Sequence, residues 1–329
     1  MPSALVIGSG PAAAGAAMAL SAADVPVTVV DIGLRLEPER QAEVDRVASL
    51  PPARWTAEAL GAISRQPVRV GGAGLPQKRR FGSDFPFRDV GQLEGVESRD
   101  GANRDVVSAA YGGFSTVWGA QVMPFPPASF GTWPVGWAAM EPHYRAVLGE
   151  IPYAAEEDDL AEVSPVLGPA APLPPLAPRT SAVLERYRRH RLRVRRAGVL
   201  VGRARLALNA GSCVRCGLCM TGCPYDLIYS AAQTMDRLRA TGRIRYEGGL
   251  MAFRVGQDAE GPFARVRDLA GGGDRLLRAD RVFVACGAFG TTRLVLGSMA
   301  RPPSQVSFGE SAQFVLPMAS LRAVPDPRS

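Results

Sequence analysis

The residues best suited to chemistry are four cysteines in one short stretch, Cys213, Cys216, Cys219 and Cys223, followed at once by Pro224. Thiolates in a Cys-x-x-Cys-x-x-Cys-x-x-x-Cys-Pro run can wrap adjacent corners of an iron–sulfur core, and the proline turns the chain away. A structural zinc usually draws two thiolate pairs from loops further apart, so four ligands within eleven residues suit it less well. An iron–sulfur cluster is the expected occupant, with zinc, or a loop that has lost its metal, as alternatives. The chain has no second set of cysteines. Either Cys223 completes a 4Fe-4S cluster, or three thiolates hold a 3Fe-4S one.

A second constellation lies at the amino end, where the chain reads Gly8-Ser9-Gly10-Pro11-Ala12-Ala13-Ala14-Gly15. Gly8 permits a tight turn, and Gly10 lets backbone N–H groups approach a pyrophosphate at a helix N-terminus. Ala13 takes the third glycine position as a small residue. Asp31 follows 21 residues beyond Gly10, placed to accept hydrogen bonds from a ribose diol and to repel a 2′-phosphate. The adenosine ribose of FAD or NAD fits such a site, and that of NADP does not. An NAD-dependent enzyme with a zinc knuckle is one reading of these two features.

Two later segments favour FAD. Tyr111-Gly112-Gly113-Phe114-Ser115-Thr116-Val117-Trp118-Gly119 is a run of small residues through which backbone could pass against a flat ring and a diphosphate. Val282 to Ala285, then Cys286-Gly287-Ala288, reads as a buried strand, a glycine turn and the start of a helix. Cys286 sits in apolar sequence and is expected as a small buried residue beside the flavin, not as a metal ligand.

These motifs need elements to hold them. Ala4 to Gly8 reads as a strand, Pro11 to Ala22 as an alanine-rich helix, and Val25 to Asp31 as a second strand ending in an acid, which together make a βαβ unit. Gly71 to Pro86 reads as loop. Between Ala154 and Pro178 six prolines exclude a long helix and suggest a linker or surface-hugging loop. Ala231 to Ala240 is expected as helix. Strands are expected over Arg243–Tyr246, Met251–Val255, Phe263–Asp268, Arg281–Ala285 and, in the tail, Gln313–Leu316.

The glycine turn, the Gly-Gly-x-Ser-x-x-Trp-Gly stretch, the Trp133-Pro134 and Glu141-Pro142-His143-Tyr144 segments and Ala285-Cys286-Gly287-Ala288 resemble, patchily over residues 3 to 300, the glucose–methanol–choline (GMC) oxidoreductase family. The resemblance implies an α/β fold: an FAD/NAD(P)-binding Rossmann-like domain assembled from separate segments, with an inserted α+β substrate and iron–sulfur region. Residues 1–125 and 241–300 would form the FAD-binding domain, 126–240 the inserted region with the cysteines, and 301–329 the start of an incomplete substrate domain. It further implies FAD as cofactor and hydride removal from an alcohol or sugar-like CH–OH group. The branch with a comparable cysteine loop implies a dehydrogenase that passes electrons singly to an acceptor protein or second subunit.

That family's general base is a histidine in the C-terminal third. The only histidines here are His143 and His190, both expected as structural or surface residues, so no catalytic base is assigned. The chain is expected to be a C-terminally truncated member, either a fragment or a naturally shortened form. A catalytically inert electron-transfer or binding module that keeps FAD and cluster is the alternative.

The bulk numbers agree with a packed protein of two domains: 329 residues, 47% apolar, five cysteines and a net charge of +7. The excess charge is almost all arginine, densest from Arg179 to Arg205, where Tyr187 is the only aromatic in a run that carries no nucleic-acid motif. It reads as a solvated surface, with an anionic substrate, an acidic partner or nucleic acid as sharper options. No apolar run approaches the roughly 20 residues of a membrane span, and no basic leader precedes Ala4, so a cytoplasmic protein is expected.

Overall fold

The computed structural model describes residues 2–64, 79–88 and 107–308. The expected strand at Gln313–Leu316, the first half of the loop from Gly71 to Pro86 and residues 309–329 lie outside them.

Strand β1 (Ala4–Ile7) is four apolar residues, every one buried. Helix α1 (Pro11–Ala22) starts with its proline in the first turn, where a missing N–H costs nothing. Strand β2 (Val27–Val30) then pairs parallel with β1, Ala4 opposite Val27. Helices α2 (Pro38–Ala48), α3 (Ala57–Ser64), α4 (Trp137–Glu150), α5 (Pro178–Arg196) and α6 (Ala231–Ala240) follow. Strands β3 (Ile244–Glu247), β4 (Leu250–Asp258), β5 (Gly261–Asp268), β6 (Gly273–Arg278) and β7 (Arg281–Val284) and helix α7 (Gly287–Ser298) complete the order.

The strands form two sheets, a four-stranded one in the order β3-β2-β1-β7 and a three-stranded one in the order β4-β5-β6. The first is parallel throughout and the second antiparallel. Alternate residues of the parallel sheet serve two cores. Ala4, Val6, Val27, Val29 and Ile244 pack against α1 and α6, through Ala13, Ala17, Met235 and Leu238. Leu5, Ile7 and Val30 pack with Leu250, Ala264, Val266 and Leu294, so the antiparallel sheet and α7 cover the other face. Burial on both faces explains why β1 and β2 are continuous apolar runs without polar alternation.

Among the described residues between β2 and β3, helices, 3₁₀ turns and isolated bridges occur but no strand. The mixed α+β insertion expected from the sequence is thus helical and irregular in this stretch. Proline, which cannot donate to a ladder, is dense there. The 154–178 segment holds no α-helix, as the prolines dictate, and is pinned where Ala154 bridges both Ala171 and Leu206.

Two glycines give opposite expectations. Gly8 has φ +109°, and a Cβ there would lie 2.5 Å from the Ala285 carbonyl oxygen, whereas a Cβ on Gly15 in α1 meets nothing within 4 Å. Gly8→Ala is expected to lower the unfolding free energy by about 2 kcal/mol or more, and Gly15→Ala to raise it by about 0.5–1 kcal/mol, in urea titrations of the two variants.

Candidate functional site

Strands β1 and β7 lie side by side with Ile7 opposite Val284, so their turns leave the sheet together. Each turn opens a helix whose first residues carry no side-chain cap and no acid in the first turn. The N–H groups of Ala12 and Ala13 therefore have no acceptor within α1, because the first helical bond is Ala14 N–H to Gly10 O at 2.9 Å. Two positive helix ends thus face a common space.

That space is a cavity of about 690 Å³. Of the residues singled out from sequence, Gly8, Gly10, Pro11, Ala12, Asp31, Gly113, Ser115, Cys286, Gly287 and Ala288 line it. Gly113 comes so close to the first turn that a Cβ on it would stand 3.2 Å from the Gly10 Cα. The three small-residue segments, distant in sequence, therefore form one cradle with backbone on several sides. Leu250, Met251, Phe253 and Leu294 supply an apolar wall.

Four expected residues stand back from the cavity lining. Ala13 is fully buried under α1 in the core. The Gly112 N–H donates to Ser9 Oγ at 2.9 Å. Trp118 gives its indole N–H to the Tyr229 carbonyl at 2.7 Å and packs in a separate core. Gly119 does not line the space. Of these, Gly112 is tied directly to the glycine turn through Ser9.

Asp31 is held at the cavity wall by the Ser9 hydroxyl, which donates to its carboxylate. Burial pushes the Asp31 carboxyl up to about 7, against hydrogen bonds from Ser9, the Ile32 backbone and Tyr246 and the nearby Arg35 charge. Ser9 was not marked out by sequence pattern, since a serine between two glycines looks like any other turn residue. Cys286 is a neutral thiol, pushed up to about 12 by burial, with Sγ 3.5 Å from the Ile7 carbonyl.

The cysteine loop abuts this cradle. Cys219 and Cys223 line a small crevice together with Ser115, Thr116 and Trp118, and Ser115 also lines the large cavity. Arg80 ties the two sides together, donating to the Thr116 carbonyl and reaching Asp226 at 3.4 Å. Leu218 packs into the core of α2 and α3, and Tyr225 stacks on Trp55 with ring centroids 6.1 Å apart. The thiols sense one another's charge, and burial raises those of Cys216 and Cys219. However, among the described residues no three or more His, Cys, Asp or Glu side chains are placed to hold a metal ion. Within the loop Cys219 is exposed, and Arg215 and Gly217 adopt left-handed backbone between the thiols.

His143 on α4 and His190 on α5 are exposed and line no part of the cavity. Within the arginine-rich run, Arg191 and Arg195 pair with Asp159 and Glu162, and Arg205 is wholly buried on Asp158. Arg186, Arg188, Arg189, Arg193 and Arg196 are exposed. No described helix is long and apolar enough to cross a membrane.

The raised Asp31 carboxyl fixes a sign. A folded-state value near 7 against 3.8 means that its contribution to stability is complete below about pH 4 and is lost as pH rises through 7. Melting of the ligand-free protein should show this decline, and Asp31→Asn should remove it, gaining about 2 kcal/mol or more over wild type at pH 8.

No family model matches this chain, and no curated protein matches it. Among solved structures, the crystal structure of pyridoxine 4-oxidase from Mesorbium loti is similar, with a TM-score of 0.47 and 15% identity. The match covers 91% of this chain and 52% of that one, so the chain spans about half the length of the structure it matches.

Proposed function

We propose that the chain is an FAD-binding oxidoreductase of the GMC type. The observation that carries this reading is the cavity itself, in which two uncapped helix N-termini, the Asp31 carboxyl and an apolar wall meet around backbone that only small residues allow to approach. Its size is in the range of sites that enclose a small molecule or cofactor, about 300–1,000 Å³. The free N–H groups of Ala12 and Ala13 suit a pyrophosphate, and Asp31 suits a ribose diol. Leu250, Met251 and Phe253 would exclude water from the ring, and neutral Cys286 would bring no charge against it. Bound FAD would supply the acceptor for a hydride from an alcohol or sugar-like CH–OH carbon.

The division into flavin segments 1–125 and 241–300 around an inserted region belongs to the same proposal, as do a small-molecule substrate and an acceptor protein or second subunit. Its support is that β1, β2, β3 and β7 share one sheet although residues 31–243 separate β2 from β3. An iron–sulfur cluster at Cys213, Cys216, Cys219 and Cys223 rests on their spacing and on the contact of their loop with Ser115 and Trp118.

A second reading, a flavin-holding module without its own chemistry, is favoured by one observation: neither histidine lines the cavity. Anaerobic mixing with a panel of primary alcohols separates the two, since bleaching of the bound flavin occurs only in the enzyme.

Purified protein is expected to retain FAD through gel filtration, with visible flavin absorbance, and Asp31→Ala to weaken FAD binding about tenfold or more. Retention of NAD in place of FAD would overturn the assignment. For the loop, anaerobically purified protein is expected to contain iron and acid-labile sulfide, both lost in Cys216→Ser; zinc without sulfide is the contrary result.

A further inference from the structure

Three segments distant in sequence converge on one hydroxyl. Parallel pairing sets Ile7 opposite Val30, and the Gly8 N–H donates to the Val30 carbonyl at 2.8 Å, so Ser9 and Asp31 leave neighbouring strands side by side. The stretch before Gly113 is laid beside them. The Leu34 N–H donates to the Ala109 carbonyl and the Tyr111 N–H to the Leu34 carbonyl, each at 2.8 Å. Ser9 Oγ then accepts from the Gly112 N–H at 2.9 Å and donates to the Asp31 carboxylate. Gly112 is buried at φ +92° and Ser9 is 2% exposed, so the hydroxyl meets groups that water does not reach.

The direction of these bonds is fixed by the donors available. A backbone N–H can only donate and an ionised carboxylate can only accept, so the single Ser9 proton points to Asp31. Gly112 is itself held from the far side. Its carbonyl accepts from Ser115 Oγ at 2.6 Å, and Ser115 Oγ accepts from the Ala231 N–H at the start of α6 at 2.8 Å. A Cβ on Gly112 would stand 3.0 Å from the Ala232 nitrogen, which leaves the segment no room to shift toward α6. Bonds thus run from α6 through Ser115, Gly112 and Ser9 to Asp31, every donor aimed toward the carboxylate.

We propose that Ser9 is the positioning residue of the ribose carboxylate: anchored by the Gly112 N–H, its hydroxyl holds Asp31 at the cavity wall and ties the glycine turn to the Gly112–Gly113 stretch. The inference deepens the reading of the cavity as a dinucleotide site and rests on it for the ligand. The other groups near the carboxylate keep one charge while it titrates. Burial holds the Tyr246 phenol on β3 above its ordinary range and pushes the Cys286 thiol before α7 up to about 12. Arg35, beyond β2, pairs with Asp236 on α6 at 3.6 Å, and neither histidine lines the cavity.

The first test needs no cofactor. In NMR of ligand-free wild-type protein the Gly112 amide is expected to shift with the same midpoint as the Asp31 carboxyl carbon, and to lose that pH dependence in Asp31→Asn. Ser9→Ala, which removes one oxygen, is expected to raise the Asp31 midpoint by about one pH unit, the scale of one hydrogen bond to a charged group. FAD is expected to bind the variant about threefold or more weakly at pH 7.5, with the gap narrowing at pH 9 where both proteins are ionised. Ser9→Thr keeps the hydroxyl and is expected to restore the wild-type midpoint. A Gly112 amide blind to the ionisation of Asp31, or an Asp31 that titrates at the wild-type pH in Ser9→Ala, overturns the assignment. Wild-type protein that takes up no FAD would instead remove the cofactor reading, and the amide titration would still decide the role of Ser9.

Discussion

The arrangement turns on the missing side chain at Gly8. Its position lies beneath the Ala285 carbonyl, where a methyl group would have to stand at less than contact distance. Because Gly8 yields that room, the turn after β1 nests against the turn after β7, and the strands keep the register Ile7 to Val284. Parallel neighbours with matched ends send both chains out on the same edge of the sheet, where α1 and α7 begin. The cavity is what remains between two helix starts that cannot approach more closely.

The electrostatics of the cavity follow from this geometry. The two helix starts make one region electropositive, each end carrying the equivalent of about half a charge. Asp31 sits at the end of the neighbouring strand, where burial works against its ionisation and hydroxyls from Ser9 and Tyr246 work for it. A ligand with an anionic centre and a diol is complementary to both at once, which a simple anion or a simple sugar is not.

Much of this was legible in the residues, and the failures have physical causes. Helix α1 and strand β2 could be read because alanine, valine and one proline agree on the same answer. Helix α6 was as clear, and Ser230 and Gln233 close it with a capping box. Strand β6 was missed: Gly-Asp-Arg-Leu-Leu-Arg lies on an edge with five of its six residues exposed, so no apolar face marks it. Within the site, glycine and alanine marked where backbone must pass close, but not which side chains turn toward the space. Trp118 looked like a cofactor contact, and its indole N–H is instead spent on the Tyr229 carbonyl. The cysteine spacing is equally plain in sequence, although among the described residues no three or more His, Cys, Asp or Glu side chains are placed to hold a metal ion.

Strand β1 waits for one of its two neighbours. Its contact with β2 joins residues a few turns of chain apart, but Ala4 pairs with Arg281 on the other side, a separation of 277 residues. At the usual pace of the ribosome, about 5–20 residues per second, that edge stands open for roughly 14 to 55 s while the rest of the polypeptide emerges. An apolar ribbon with unmet backbone groups is a template for any passing strand over that interval. The nascent protein is therefore a natural client for chaperones that shield such edges, and it should become less dependent on them once β7 has left the exit tunnel.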